Sequence, residues 1–165
     1  MSAEETEFAE FFQTSWEPCL RAVVASTGSV QLAEDQVAEA FARAWSSWRK
    51  VRRHPAPRAW VVRTALNAGA SWWRRRIREQ PLAAHDAVAA GDVDHGLDAA
   101  LLTALLRLPD RQREVIALRV FLDLDIDTIA AHLGIAPGTV RVHLSRAVAM
   151  LRHELSPSHA VEAEQ

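Results

Sequence analysis

The stretch DTIAAHLGIAPGTVRVHLSRA, residues 127–147, constrains the fold of the chain more than any other segment. Ala130 is small enough for two helices to cross closely, and Gly134 follows at a turn where a positive φ is expected. Pro137 suits the first turn of a second helix, and Val140 faces back toward the first. The small core of such a unit consists of Ile129, Leu133, Ile135, Val140 and Leu144. The spacing predicts a helix-turn-helix, although a plain pair of packed helices joined by a glycine turn shares part of it.

The second helix of this unit presents a polar and cationic face to the outside. Its outward residues are Thr139, Arg141, Val142, His143, Ser145 and Arg146. A helix of this kind lies in the major groove of DNA with its N-terminal residues at the base edges. The pattern therefore favours DNA binding, although a merely exposed histidine at position 143 fits the sequence equally well.

Apolar residues recur at helical spacing through most of the chain, and no alternating strand pattern or hairpin signal is present. The predicted helices of the front part cover residues 5–25, 31–49 and 57–78. In the second of them, Val37, Phe41, Ala44 and Trp48 form a buried stripe. Pro18 predicts a kink or break in the first helix, because proline has no N–H and does not fit a helix interior.

Residues 80–97 differ in composition from their surroundings, since they combine proline and glycine with small residues and acids. Such a segment is typical of a flexible linker. We therefore predict an all-α fold of two small helical domains joined by a flexible acidic linker. The predicted parts are a front domain (1–79), the linker (80–97), a rear domain (98–155) and a tail (156–165).

Charge is distributed unevenly along a chain whose formal net charge is −2. Residues 49–78 hold ten of the nineteen Lys and Arg residues and no acid, whereas residues 79–98 hold five acids and no Lys or Arg. One polar row of the third helix consists of Arg63, Asn67, Ser71, Arg74 and Arg78. Arginine suits bidentate contacts with phosphate. The arginines of SWWRRRIRE (71–79) also complement the negative end of their helix, but their number favours phosphate binding. Trp72 and Trp73 lie on the apolar rows.

The sequence contains no recognisable motif of a catalytic or metal site. Cys19 is the single cysteine, so it forms neither an internal disulfide nor a cysteine-based zinc site. The chain has no glycine-rich phosphate loop, no nucleophile elbow and no apolar run of ~20 residues. Its acidic N-terminus does not have the pattern of a signal peptide. We predict a cytoplasmic protein that is not an enzyme and uses no cofactor or metal.

Taken together, the two parts of the chain resemble a bacterial RNA polymerase sigma factor of the extracytoplasmic-function type, with regions 2 and 4 only. AEDQVAEAFARAW (33–45) is similar to the polymerase-binding helix of region 2. PRAWVVRTALNAGASWWRRRIRE (57–79) is similar to the helix that melts and reads the −10 element. LPDRQREVIALRVFLDLDIDTIAAHLGIAPGTVRVHLSRAVAMLRHEL (108–155) resembles region 4.

This resemblance implies partners and a role for each group of residues. Core polymerase would be bound through its β′ coiled coil and β flap, with Asp35, Glu39 and Arg43 on the β′ side. The −10 element would be contacted by Arg49, Arg52, Arg53, Arg58, Trp60, Arg63, Asn67, Ser71, Arg74, Arg75, Arg76 and Arg78. The −35 element would be contacted by Arg111, Arg113, Thr139, Arg141, Val142, His143, Ser145 and Arg146. Family members are often held inactive by an anti-sigma protein.

Two other classes of protein remain as alternatives at this point. A stand-alone regulator of the LuxR type shares the pattern GTVRVHLSRA (138–147), but such proteins carry a different front domain. A small hydrolase or metal-binding helical protein lacks support from any site spacing. Compared with the usual sigma pattern, Gln36 stands in place of leucine, and the family's Ser-aromatic-Glu-Glu is replaced by DIDT, in which Asp125 still provides a helix cap.

Overall fold

The computed structural model of the chain describes residues 1–79 and 97–157, with side chains described for residues 1–69 and 97–157. Within these ranges the backbone forms helices joined by turns and contains no strand, which confirms the all-α prediction. None of the described helices is both long and apolar enough to cross a membrane. We call residues 1–79 the front half and residues 97–157 the rear half.

The helices follow the predicted order. The front half contains α1 (Ala3–Thr27), α2 (Val30–Ser46), α3 (Trp48–Val51) and α4 (Pro57–Glu79). The rear half contains α5 (Ala99–Arg107), α6 (Asp110–Ile116), α7 (Ile126–Leu133) and α8 (Pro137–Glu154), with α6 continued by a π-helical segment (Ala117–Phe121). The helix predicted over residues 31–49 is divided at Ser47, where the backbone leaves helical geometry before α3 begins.

Helix α1 runs unbroken past Pro18, so the predicted break does not occur. Because Pro18 has no N–H, the carbonyl of Thr14 lacks its usual helical donor. The guanidinium of Arg58 replaces that donor, since its Nη2 donates to the Thr14 carbonyl at 2.8 Å. Its Nε donates to Oγ of the buried Ser15 at 3.0 Å. A side chain from the start of α4 therefore completes the hydrogen bonding of α1.

The front core lies where α1, α2 and α4 pack together. The predicted stripe of Val37, Phe41, Ala44 and Trp48 is buried along its whole length, as expected. Aromatic rings from the first half of α1 close this core at one end. The ring of Phe41 lies 5.0 Å from that of Phe12, in the edge-to-face geometry that aromatic pairs favour.

Helices α2 and α4 approach each other closely at Gln36 and Gly69. A Cβ atom added at Gly69 would lie 2.3 Å from Nε2 of Gln36, so the glycine makes room for the amide. Gln36 is only 6% exposed, and its Oε1 has no hydrogen-bond partner among the described residues. A polar group is thus buried where the family usually places leucine.

The rear half has the predicted helix-turn-helix. Asp125 caps α7 by accepting from the N–H of Thr128 at 2.7 Å, which confirms its expected role. Gly134 ends α7 with a φ of 68°, in the left-handed region that the turn was expected to need. Ala130 and Val140 are both buried where α7 and α8 meet. The predicted pattern of small, turn and inward-facing residues is therefore confirmed position by position.

The described part of the rear half begins with Leu97, next to the predicted start of the rear domain at Asp98. Asp98 caps α5 by accepting from the N–H of Leu101 at 2.7 Å. Leu97, the last residue of the predicted linker, is 1% exposed and belongs to the core. Residues 80–96, the rest of that linker, lie outside the described part of the chain.

The two halves pack against each other, and we call this contact the seam. The C-terminal part of α1 meets α5, α6 and the π-helical segment. At Gly28 an added Cβ atom would lie 2.8 Å from a methyl carbon of Leu106, so the glycine admits this side chain. Nη1 of Arg113 donates to the carbonyl of Ser26 at 3.3 Å. Buried residues of both halves consequently form one continuous apolar cluster.

Replacing Arg58 tests its role as the substitute donor of α1. We expect Arg58→Ala to lower the free energy of unfolding by about 1–3 kcal/mol, since two partners in α1 lose a donor. In a Pro18→Ala background the backbone supplies an N–H to the Thr14 carbonyl, so the same change should cost less. Urea unfolding of the four proteins of this cycle measures both values, with Arg53→Ala as an exposed control. An identical cost in the two backgrounds would show that Arg58 does not compensate for Pro18.

Replacing Gln36 tests the cost of its buried amide. We expect Gln36→Leu to raise the free energy of unfolding by about 1 kcal/mol, because it removes an unpaired buried acceptor at similar volume. Gln31→Leu on the exposed side of the same helix is the matched control, with an expected change within about 0.5 kcal/mol. Chemical denaturation of the three proteins decides the matter, and a loss of stability in Gln36→Leu would contradict this account.

Candidate nucleic-acid interface

Helix α8 presents its predicted outward residues to solvent. Thr139, Arg141, Val142, Ser145 and Arg146 are exposed, and Val142 retains 46% of its accessible surface despite being apolar. His143 is half-buried, and its Nδ1 is buried without a hydrogen-bond partner among the described residues. By helical spacing, Thr139, Val142, His143 and Arg146 share one side, which we call the reading face. This face offers the N–H donors of Arg146, the imidazole of His143, the hydroxyl of Thr139 and the apolar side chain of Val142. Groups of these kinds read base edges in the major groove.

The other two predicted −35 residues differ in their surroundings. Nη1 of Arg111 lies 3.1 Å from a carboxylate oxygen of Glu114, and the two side chains retain 46% and 38% of their accessible surface. Arg113 is only 16% exposed, pairs with Asp110 at 2.6 Å and donates across the seam to Ser26. The structure therefore places Arg111 on the surface and Arg113 between the two halves.

The basic residues of α3 and of the turn after it meet acidic side chains at the start of α1. Nε of Arg49 lies 3.2 Å from a carboxylate oxygen of Glu4, and Nη1 of Arg52 lies 3.0 Å from one of Glu7. Arg49 remains 83% exposed, so water and salt screen its pair strongly. Arg53 is also exposed. Both paired arginines can therefore exchange a carboxylate for a phosphate. The sequence analysis did not predict these ion pairs, because the two partners of each lie about 45 residues apart in the sequence.

A groove of about 560 Å³ lies between α2 and α4. Its lining combines predicted −10 residues with predicted polymerase-binding residues: Trp60 and Asn67 with Glu39 and Arg43. Sequence reasoning missed three hydroxyl groups of the same groove, those of Ser46, Ser47 and Thr64. Thr64 could have been found, because it lies three residues before Asn67 and so falls on a neighbouring row of the helix.

The α2 side of this groove bears the predicted polymerase contacts. Nη2 of Arg43 lies 2.7 Å from Oε1 of Glu39, and both side chains remain more than half exposed. Asp35 is exposed one turn earlier on the same helix. The three residues therefore form one solvent-facing row of two carboxylates followed by a guanidinium, in which the ion pair of Glu39 and Arg43 can be exchanged for one with a partner.

The polar row of α4 begins at the seam. Arg63 is exposed, and its Nη1 lies 3.5 Å from the carbonyl oxygen of His132 in the rear half. Helical backbone extends to Glu79, so the positions of the row share one side of α4 by their spacing. The side chains of the remaining predicted residues, Ser71, Arg74, Arg75, Arg76 and Arg78, lie outside the described ones.

Three titratable groups near these surfaces have shifted pKa values. The backbone N–H of Thr128 lowers the pKa of Asp125, which keeps the cap of α7 ionised. Burial, with Arg63 and His54 nearby, lowers the pKa of His132 below its ordinary value of 6.5. Burial raises the pKa of the Cys19 thiol to about 12, so this group stays protonated and unreactive at neutral pH.

Comparison with known proteins gives matches in both halves. Residues 16–79 match the family model described as Sigma-70 region 2, and residues 98–151 match the one described as Sigma-70, region 4. The RNA polymerase sigma-E factor of Streptomyces avermitilis is 31% identical, over 98% of this chain and 94% of its own. The sigma-E factor of Streptomyces coelicolor is 32% identical, over 92% and 88%.

A solved structure is similar over nearly the whole chain. It is the sigma factor RpoE of Bartonella quintana in complex with the anti-sigma factor NepR. The TM-score is 0.71 at 26% sequence identity, and the match covers 90% of this chain and 96% of RpoE.

A helix-turn-helix with an open reading face, behind a helical unit that matches a sigma region, defines a transcription initiation factor. The chain belongs to the RNA polymerase sigma factors, and within them to the extracytoplasmic-function type with regions 2 and 4. This confirms the family indicated by the sequence. The LuxR-type alternative is not supported, because the front half matches a sigma region as well.

The different surroundings of Arg111 and Arg113 can be tested by stability. We expect Arg113→Ala to lower the free energy of unfolding by about 1–3 kcal/mol, because it leaves the Ser26 carbonyl without its donor at the seam. Arg111→Ala should change it by no more than about 0.5 kcal/mol. Urea titrations followed by circular dichroism give both values. Equal effects of the two substitutions would show that the seam does not depend on Arg113.

Proposed function

We propose that this sigma factor reads the −35 element with α8, reads the −10 element with the front domain, and binds core RNA polymerase through α2. The observation that carries the proposal is the open reading face of α8 in a chain whose two halves both match sigma regions. The polymerase performs the chemistry, so the protein itself is not an enzyme and acts in the cytoplasm, where polymerase and promoter DNA are found.

In the rear domain, the reading face enters the major groove of the −35 element. Arg146 and His143 supply donors to base edges or phosphates, and Val142 contacts a thymine methyl group. Arg141 and Ser145 flank this face and hold the backbone, as does Arg111. Support comes from the exposure of Arg111, Arg141, Val142, Ser145 and Arg146, which the packing of the two halves leaves open.

In the front domain, the groove between α2 and α4 receives a base that leaves the melted −10 element. Trp60 offers a stacking surface, and Asn67 with the neighbouring hydroxyl groups offers hydrogen bonds to the base edge. Arg49, Arg52 and Arg53 contact the strand beside it. The cluster Arg74, Arg75, Arg76 and Arg78 holds phosphates further along α4, a role for which the charge pattern is the support.

On α2, the row of Asp35, Glu39 and Arg43 docks on the β′ coiled coil of core polymerase, and the rear domain meets the β flap. The support is the solvent-facing row of two carboxylates and one guanidinium. We further propose that an anti-sigma protein holds this factor inactive, because the similar RpoE structure was solved with the anti-sigma factor NepR.

Reconstituted holoenzyme tests the whole proposal. The chain should be captured by core polymerase and should direct run-off transcription from a promoter selected out of a randomised duplex library. Asp35→Lys combined with Glu39→Lys should abolish capture, because two positive charges then replace the carboxylates that are proposed to contact polymerase. Gln31→Lys should leave capture unchanged. Tight binding of duplex DNA by the chain alone, with no capture by polymerase, would overturn the proposal.

A second measurement separates the DNA contacts from polymerase binding. Arg141→Ala and Arg146→Ala should each weaken promoter binding by the holoenzyme about 10- to 100-fold, with a salt slope lower by about 1 where the lost partner is a phosphate. Capture by polymerase should stay unchanged in both. Arg152→Ala, an exposed arginine near the end of α8, is the matched control. Unchanged promoter binding in both test variants would remove α8 as the reading helix.

A further inference from the structure

Two histidines meet where the front half touches the end of α7. The ring of His54, in the loop before α4, lies 6.0 Å from the ring of His132 at an interplanar angle of 81°. Beside them, Nη1 of Arg63 lies 3.5 Å from the His132 carbonyl oxygen. These contacts join the two halves at a point separate from Arg113 and Leu106.

The geometry of this junction suits neutral imidazoles. Nδ1 of His54 accepts a hydrogen bond from the N–H of Ala56 at 3.0 Å, so that nitrogen carries no proton. His132 is half-buried, and among the described residues the chargeable groups that act on it are Arg63 from α4 and His54 from the loop. On its own helix, Asp127 stands at the opposite end, more than a turn away. Protonation of His132 would therefore place a positive charge beside Arg63 in a half-buried site.

The closed arrangement is too short for one molecule to read both promoter elements. Elements centred at −10 and −35 lie about 25 base pairs apart, or roughly 85 Å along straight duplex DNA. Arg63 contacts the carbonyl of His132; Asn67 lies one turn from Arg63, and Thr139 lies seven residues from His132. Adding the maximum lengths of these segments separates Asn67 from Thr139 by at most roughly 45 Å. The seam must open before the factor works at a promoter.

We propose that His54, His132 and Arg63 form a latch that keeps the sigma factor closed while the His132 imidazole is neutral and opens it when that imidazole takes up a proton. This inference rests on the proposed function, in which the two domains read separate elements. Acidification then shifts the factor toward the open form that polymerase and promoter require.

The direction follows from proton linkage. In the closed form burial and Arg63 hold the pKa of His132 below 6.5, and in the open form it returns toward that value. The closed form thus binds fewer protons, so the contribution of His132 to closure is fully present above pH 6.5 and weakens as the pH falls below it. For His132 the ratio of open to closed molecules rises by up to about tenfold per pH unit.

Energy transfer between two dyes measures closure without polymerase or DNA. Gln31→Cys and Ala149→Cys place labels on exposed positions of the two halves, and the buried thiol of Cys19 does not compete for them. Transfer should fall as the pH is lowered from about 7.5 to about 5.5, across the ordinary range of histidine. His54→Gln combined with His132→Gln should keep high transfer at both values, and His132→Arg should lower it at both. His153→Gln, at an exposed position near the end of α8, should respond as the unmodified sequence does.

Circular dichroism at both pH values checks that the helices persist. Constant transfer in the unmodified sequence, an undiminished response in the double glutamine variant, or a parallel loss of helicity would each overturn the latch. Because the measurement uses the sigma factor alone, such a result leaves the run-off assay intact. Failure of that assay with a working latch would instead count against the proposed function.

Discussion

The fold depends on α1 staying whole, because this helix packs against both halves of the molecule. Its first part carries the aromatic side chains that close the front core, and its last part forms the seam with α5, α6 and the π-helical segment. A break at Pro18 would separate these two roles. The donor that proline lacks comes instead from Arg58, so α1 is continuous only where α4 begins beside it. The guanidinium of Arg58 thereby links the continuity of α1 with the packing of the front core and of the seam.

This dependence changes how the arginines of the chain are understood. Arg58 donates hydrogen bonds to α1, and Arg113 donates a hydrogen bond across the seam. Arg49 and Arg52 pair with carboxylates, and Arg141 faces solvent. In sequence all five are alike, since each sits in a basic or helical context that suits phosphate. They differ in the group that each arginine contacts, and for most of them that group lies about 45 residues away or more in the sequence.

The sequence was informative wherever a signal is local. Helical spacing predicts the buried stripe of α2, Asp125 and Gly134 mark the two ends of α7, and the small residue at Ala130 marks the helix crossing. Long-range chemistry was not predictable in the same way. Nothing near Pro18 reveals that Arg58 will supply a donor, and nothing near Gly28 reveals that Leu106 will fill the space above it. The linker composition left the placement of the halves open, because it limits reach and not direction.

Closure of the seam leaves the reading face of α8 in solvent, which limits how closure can regulate the factor. In the proposed latch, closure does not mask the reading face of α8; it holds that face too near the groove between α2 and α4 for one molecule to use both at a promoter. Regulation through the distance between the two surfaces requires less of the seam than regulation by masking one of them, because the interface need not match the shape of DNA. It can instead be an apolar seam joined by Arg113 and two imidazoles, and in the proposed function the docking of polymerase on α2 contributes binding energy toward opening it.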